Sequence, residues 1–230
     1  MVSRDSYLNR LIRHRQNGEI KVITGIRRCG KSVLLFDLFY EYLLSQGVSD
    51  DHIIKIGLDQ RRFYKFRNPI TLCEYVESVV QEKANEQFYL FIDEVQLTTK
   101  VIDKENGGIE VTIYDMLNEL KAYKNLDVYV TGSNSKGLSK DIATEFRGRA
   151  TQIHVFPLSF AEFYSYVGGD ERKALDNYML YGGMPRLLTM EDEREKKEYL
   201  STLFDEVYIK DIVERNQITR EDILNNILDF

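Results

Sequence analysis

Short apolar runs and longer amphipathic runs alternate along the first two thirds of the chain. Ile20–Thr24 (IKVIT) is a compact β-rich run, short and apolar enough for a buried strand. It leads through a glycine-bearing turn into VLLFDLFYEYLL, an apolar helix that Gly47 is placed to close. The alternation repeats: His52–Leu58 as a strand, then Ile70–Lys83 as a helix opened by a Thr71-x-x-Glu74 capping box. Phe88–Ile92 (FYLFI) has no polar face, which predicts a strand covered on both sides. Ile113–Tyr123 follows as a helix, Asp127–Thr131 as a strand, Ser139–Phe146 as a helix and Thr151–Phe156 as a strand. A short basic helix, Tyr7–Gln16, precedes them, and Leu97–Val111 reads as an inserted surface loop or hairpin.

Strands alternating with helices imply right-handed crossovers and a parallel, doubly wound sheet of about five strands flanked by helices. The pattern changes after Pro157. Ser159-x-x-Glu162 opens a helix, and only helical patterns follow, broken at Gly182–Gly183–Met184–Pro185. The sequence therefore predicts an α/β domain over 1–158 and a smaller all-α unit over 159–230. The chain stops inside a helical pattern, EDILNNILDF, for which a fragment of something longer is the preferred reading and helical packing against a partner the alternative.

Composition adds few constraints. The 230 residues are 43% hydrophobic and 30% charged, the balance of an ordinary water-soluble domain. No run approaches the ~20 apolar residues of a membrane span, so a membrane role is not expected. Two cysteines and three histidines build neither a disulfide framework nor a zinc site, and a reducing cytoplasm is the expected compartment. The net charge of −6 argues against a coat for nonspecific nucleic-acid binding. Charge is uneven, however: residues 1–32 hold Arg4, Arg10, Arg13, Arg15, Lys21, Arg27, Arg28 and Lys31 against Asp5 and Glu19. A solvated helix face is the preferred reading of that excess, with contact to DNA as the alternative.

The chemistry concentrates between the first strand and its helix. Gly25-Ile26-Arg27-Arg28-Cys29-Gly30-Lys31-Ser32 fits G-x-x-x-x-G-K-[ST] at every fixed position, after a buried strand and before a helix. In such a loop, glycines let main-chain N–H groups turn inward onto phosphates, and the next helix offers its positive end. Residues 25–33, from Gly25 to Val33, are the expected nucleotide-binding segment. Lys31 is expected on the β and γ phosphates and the Ser32 hydroxyl on Mg²⁺. Cys29 fills a variable position, and Arg27 and Arg28 either touch phosphate or face solvent.

Asp93 and Glu94 end the apolar strand FYLFI. Asp93 is expected to hold the Mg²⁺ shell, and Glu94 to polarise the attacking water as a general base. The strand VYVT ends in Gly132-Ser133-Asn134, where Asn134, or second Ser133, would orient water or sense the γ-phosphate; a polar turn with Asn134 as a helix cap is the alternative. Phe146-Arg147-Gly148-Arg149 offers an arginine finger, Arg149 ahead of Arg147, unless the pair serves surface carboxylates. The nearest approach to the guanine-reading [NT]-K-x-D pattern, Thr99-Lys100-Val101-Ile102-Asp103, has its aspartate one place late, which favours ATP over GTP.

With these segments in order, the sequence resembles the prokaryotic AAA-type ATPases whose ATPase module precedes a C-terminal domain of unknown function. The resemblance rests on YLNRLI, IKVITGIRRCGKS, YLFIDEVQ, DVYVTGSNSKGLS, FRGR, HVFPLSFAEF, YGGMPRLL and YIKDIVERN. It implies ATP binding, an AAA-like core and a helical lid. It also implies that the Gly183-Met184-Pro185 element is similar to the Gly-x-Pro turn of signal-transducing ATPases, with Pro185 near the adenine; a plain loop between helices is the alternative. Members normally continue beyond the YIKDIVERN-like helix. The expected function is Mg²⁺-dependent ATP hydrolysis driving lid movement. A slow-turnover ATP/ADP switch toward an unknown protein partner and a DNA-associated ATPase are the competing readings, and the sequence leaves the oligomeric state open.

Overall fold

The computed structural model describes residues 2–104, 107–133 and 150–205. The helix expected over 139–146, Asn134, Arg147, Arg149 and the YIKDIVERN segment lie outside the described residues. The chain divides into two compact units, Met1–Pro157 and Leu158–Phe230.

In the first unit five parallel strands form one sheet: β1 (Ile20–Thr24), β2 (Ile53–Gly57), β3 (Phe88–Asp93), β6 (Leu126–Gly132) and β7 (Ala150–His154). Two short strands, β4 (Val101–Asp103) and β5 (Ile109–Val111), make the antiparallel hairpin between β3 and the next helix. The spatial order is β2-β3-β6-β1-β7. The chain therefore leaves β1 toward one edge of the sheet and β6 toward the other, and β6 lies between the strand that starts the glycine loop and the strand that ends in Asp93.

Side-chain alternation divides the core into two layers. Ile20, Val22, Leu90, Ile92, Val128 and Val130 face one side, where they meet Leu72, Val76 and Val80 of α3 (Pro69–Glu82) and Leu117 and Leu120 of α4 (Ile113–Leu120). Ile23, Tyr89, Phe91 and Tyr129 face the other, against Leu11 of α1 (Asp5–Arg13) and Leu34, Leu35, Phe39 and Leu43 of α2, the helix over 31–45. The middle of α2, Leu34–Phe39, is wound as a π-helix. Its end is a Schellman closure, with the Val48 N–H donating to the Leu43 carbonyl at 3.1 Å and the Gly47 N–H to Leu44 at 3.0 Å.

An aromatic triangle ties α2 to the strands beneath it. The Phe39 ring lies 4.9 Å from Tyr129 and 5.8 Å from Phe91, and those two meet edge to face at 5.5 Å. Such pairs contribute about 0.5–1.5 kcal/mol each beyond their buried area. The triangle thus fixes the glycine loop's helix over β3 and β6, whose ends supply the polar groups of the site.

One expected start is corrected. The capping box expected at Thr71 and Glu74 does not open α3; both lie inside the helix. Its cap is Asn68, whose Oδ1 accepts from the N–H groups of Ile70 (3.0 Å) and Thr71 (3.4 Å), with Pro69 in the first turn. Proline needs no N–H partner there and its φ suits a helix, which outweighs the Thr-x-x-Glu pattern two residues on.

Below the sheet's other end, Lys21 and Asp127 form an ion pair with side chains 0% and 4% exposed. Asp127 also accepts from the Tyr129 hydroxyl at 2.7 Å and the Gln16 N–H at 2.9 Å. Burial holds the Lys21 ammonium below its usual pKa, against the opposing pull of Asp127.

The described part of the second unit is helical. The Ser159/Glu162 capping box opens α5 (Phe160–Val167), followed by α6 (Glu171–Tyr181), a 3₁₀ turn over Pro185–Thr189, and α7 (Glu193–Thr202). Tyr181, Met184, Leu187, Tyr199 and Leu203 form its core. No helix among the described residues is long and apolar enough to cross a membrane.

Candidate functional site: a glycine loop facing two acidic residues

β1 ends at Thr24 and the chain turns at once. Gly25 has φ 152°, and a Cβ there would sit 2.2 Å from the Val155 carbonyl oxygen. Val155 cannot recede freely, because its N–H donates to Thr24 O at 2.7 Å. Only glycine fits, and the loop passes close over the end of β7. Gly30, at φ 100°, then caps the start of α2 from the left-handed region.

Between them, Ile26, Arg27 and Arg28 are exposed, Arg28 at φ 64°, and Cys29 is buried with its Sγ 3.4 Å from Val155 O. Burial pushes the Cys29 thiol pKa up, which leaves it a packing group rather than a nucleophile. Lys31 is buried inside the turn, its Nζ donating to the carbonyls of Gly25 (3.1 Å) and Ile26 (3.0 Å). Ser32 and Val33 are exposed on the first turn of α2.

The alternation that buries Tyr89 and Phe91 under α2 carries Asp93 to the same face. Its carboxyl accepts a hydrogen bond from Thr131 Oγ1, and the Ser32 hydroxyl lies near enough to favour its charged form. Burial, the largest influence, raises the Asp93 pKa; the Thr131 and Ser32 hydroxyls oppose the shift, and the charges of Glu94 and Asp59 add to it. A hydroxyl and a half-buried carboxyl therefore meet beside the lysine of the glycine loop. Two oxygen donors on a group that is costly to ionise alone suit a hard divalent cation such as Mg²⁺.

Glu94 is built differently. Its backbone is left-handed, at φ 55° and ψ 51°, and its N–H donates to Thr131 Oγ1 at 3.2 Å. Its Oε2 accepts from Ser133 Oγ at 3.0 Å and from Gln96 Nε2, which also reaches Ser133 Oγ at 3.0 Å. Thr131 near the end of β6 and Ser133 just past it thus present hydroxyls to the two acidic residues, one to each.

The structure brings Gly25, Lys31, Ser32, Asp93 and Glu94 to one end of the sheet, with Ser133 beside Glu94. Asn134, Arg147 and Arg149 lie outside the described residues, and Pro185 opens the 3₁₀ turn of the helical unit. Three polar residues of this region were not singled out by the sequence: Thr131, Gln96 and Arg4. Thr131 and Ser133 carried a readable signal, hydroxyls two apart at a strand end. Arg4 carried none, being one basic residue in a basic stretch. It is only 5% exposed, and donates to Cys29 O at 3.3 Å and Phe156 O at 2.7 Å, bracing the loop from behind.

The model of the AAA domain family (AAA_14) matches residues 17–164, from the strand before the glycine loop to the first helix beyond the sheet. The chain belongs to the AAA domain family. A second model, a domain of unknown function (DUF8612), matches residues 172–230 of this AAA protein. An uncharacterized protein of Haemophilus influenzae is 32% identical over the whole chain, which spans 55% of that relative. An uncharacterized protein of Methanocaldococcus jannaschii is 29% identical over 91% of the chain and 46% of its own length. The chain thus spans about half the length of these curated relatives. Among solved structures, a Walker-type ATPase of Pyrococcus abyssi superposes at a TM-score of 0.51 and 16% identity, covering all of this chain and 75% of that one. That likeness concerns the fold: a five-stranded parallel P-loop sheet flanked by helices, with helices following.

Proposed function

We propose that this AAA domain binds ATP with Mg²⁺ at the glycine loop and hydrolyses it, passing the change of nucleotide state to its helical unit. The observation that carries the reading is the meeting of Ser32 and Asp93 next to Lys31, on a loop that admits only glycine at position 25.

Main-chain N–H groups from Gly25 to Val33 and the start of α2 would cradle the phosphates. Lys31 would exchange its two loop carbonyls for β and γ oxygens. Mg²⁺, held by Ser32 and Asp93, would neutralise charge developing on the phosphates. Glu94 accepts a proton from the attacking water as its oxygen bonds to the γ-phosphorus; the bond to the β–γ bridging oxygen breaks, and ADP and phosphate result. Asn134 and Arg149 are kept as candidates for orienting the water and for meeting γ-phosphate charge.

Glu94→Gln tests the reading. It should bind ATP as the parent does and lose at least ~10²-fold in turnover, the range of a lost general base. Turnover within twofold of the parent would remove Glu94 as the base.

A second reading, a slow-turnover switch, is favoured by the two donors already engaged on Glu94 Oε2. Steady-state turnover of the natural full-length protein, with and without DNA, separates the two. A rate at the uncatalysed background selects the switch, and stimulation by DNA selects a DNA-associated ATPase.

A further inference from the structure

Glu94, Gln96 and Ser133 close a three-membered ring of hydrogen bonds. Gln96 Nε2 reaches both Glu94 Oε2 and Ser133 Oγ, and Ser133 Oγ reaches Glu94 Oε2. A half-buried glutamate at a strand end would otherwise sample several rotamers. Here both donors converge on one oxygen, and the backbone beneath is held in a left-handed conformation that a side-chain-bearing residue adopts reluctantly. Thr131 Oγ1, accepting the Glu94 N–H, anchors that conformation to β6. Two linked donors on one carboxyl oxygen and an anchored backbone thus restrain the Glu94 side chain. Gln96 gains no burial from the arrangement, since it is exposed, so core packing does not account for its place.

We propose that Gln96 and Ser133 are positioning residues that act through Glu94: they tether Oε2 and turn Oε1 toward the water, setting turnover without contributing to nucleotide affinity. This rests on the reading of Glu94 as the base. It gives Ser133 a role on the glutamate rather than on the γ-phosphate, and adds Gln96, whose amide must donate for the ring to close.

The test is a set of double-mutant cycles read by ATP turnover and, separately, by ATP affinity. Gln96→Met keeps the length of the side chain but loses the donor, and Ser133→Ala loses the hydroxyl. Each should lower kcat about tenfold, equivalent to one charge-assisted hydrogen bond of about 1.4 kcal/mol lost in the transition state, with the Kd for ATP within twofold. Ser133→Thr, which keeps the hydroxyl, should retain more than half of the turnover. In a Glu94→Gln background, single-turnover measurement with labelled ATP should show Gln96→Met and Ser133→Ala changing the residual rate less than twofold.

Equal losses in both backgrounds would overturn the proposal, because the two residues would then act on water or phosphate directly. A fall in affinity matching the fall in kcat, or wild-type turnover in both variants, would overturn it as well. If Glu94→Gln itself turns over at the parent rate, the base assignment falls and takes the tether with it. A slow Glu94→Gln beside unaffected Gln96→Met and Ser133→Ala sinks the tether alone.

Discussion

Gly25→Ala is the sharpest structural perturbation of the loop. The new methyl carbon would lie 2.2 Å from Val155 O, far inside the 3.0 Å that real Cβ contacts keep, and 3.0 Å from Cys29 Sγ. The backbone would also hold φ 152°, a conformation that side-chain-bearing residues rarely adopt. Relief requires either that β7 gives up the 2.7 Å bond from Val155 N–H to Thr24 O or that the loop swings away from the phosphates. The backbone conformation costs about 1–3 kcal/mol, and a forced shift in a close-packed region a further 1–3 kcal/mol or so. The combined cost, roughly 2–6 kcal/mol, is a large fraction of the ~5–15 kcal/mol that holds a domain folded. For a domain of this size it corresponds to a fall in Tm of roughly 4–24 °C. Thermal unfolding and ATP titration of the variant, done side by side, divide the cost between fold and loop: a small change in Tm must be matched by a large loss of affinity. A variant with Tm within about 2 °C of the parent and unchanged ATP affinity would refute the close approach on which the cradle depends.

Two further predictions concern buried charge. Burial raises the Asp93 pKa, so ionised Asp93 destabilises the folded protein, and that penalty is present above the folded pKa and absent below the unfolded one. Asp93→Asn should therefore raise Tm at neutral pH without Mg²⁺, with the gain vanishing as pH falls through the carboxylate range, while Mg²⁺-dependent turnover is lost; a variant less stable than the parent at pH 7 would contradict this. Asp127→Asn leaves the Lys21 ammonium buried without its counter-charge and should cost about 3–5 kcal/mol in denaturant unfolding. Adding Lys21→Met removes both charges, while the new amide oxygen at position 127 still accepts from Gln16 and Tyr129. The double variant should recover at least half of that cost; one as unstable as the single variant would show that charge is not the cause.

Much of this was legible in the sequence for local reasons. Ile20–Thr24 is a strand with the expected ends because a run of apolar, β-prone residues stops at a glycine that the turn requires. FYLFI reads as a strand buried on both faces because no polar residue interrupts it, and the helices on either side of the sheet confirm the cause. Leu97–Val111 holds a hairpin, as its glycine pair at 107 and 108 allows. The start of α3 differs from the expected one because a Thr-x-x-Glu spacing competes with Asn-Pro, and proline's fixed φ decides the matter two residues earlier.

The site was legible only where its chemistry is contiguous. Gly25–Ser32 and Asp93–Glu94 stand out because each is one short segment. Thr131 meets Asp93 across 38 residues, Ser133 meets Glu94 across 39, and Arg4 reaches Phe156 across 152. Those meetings depend on β6 entering the sheet between β1 and β3 and on the N-terminal segment packing behind the loop. Neither follows from spacing along the chain, because strand order is decided by how the two layers of helices pack.

The most direct test of the account is calorimetric titration of folded protein with ATP and Mg²⁺, beside Lys31→Ala. Saturable heat from the parent, abolished by chelating Mg²⁺ and weakened at least about tenfold in the variant, or ~1.4 kcal/mol, is the predicted result. No heat from any adenine or guanine triphosphate, or an isotherm for Lys31→Ala that overlays the parent's, would contradict the assignment of a nucleotide to this loop.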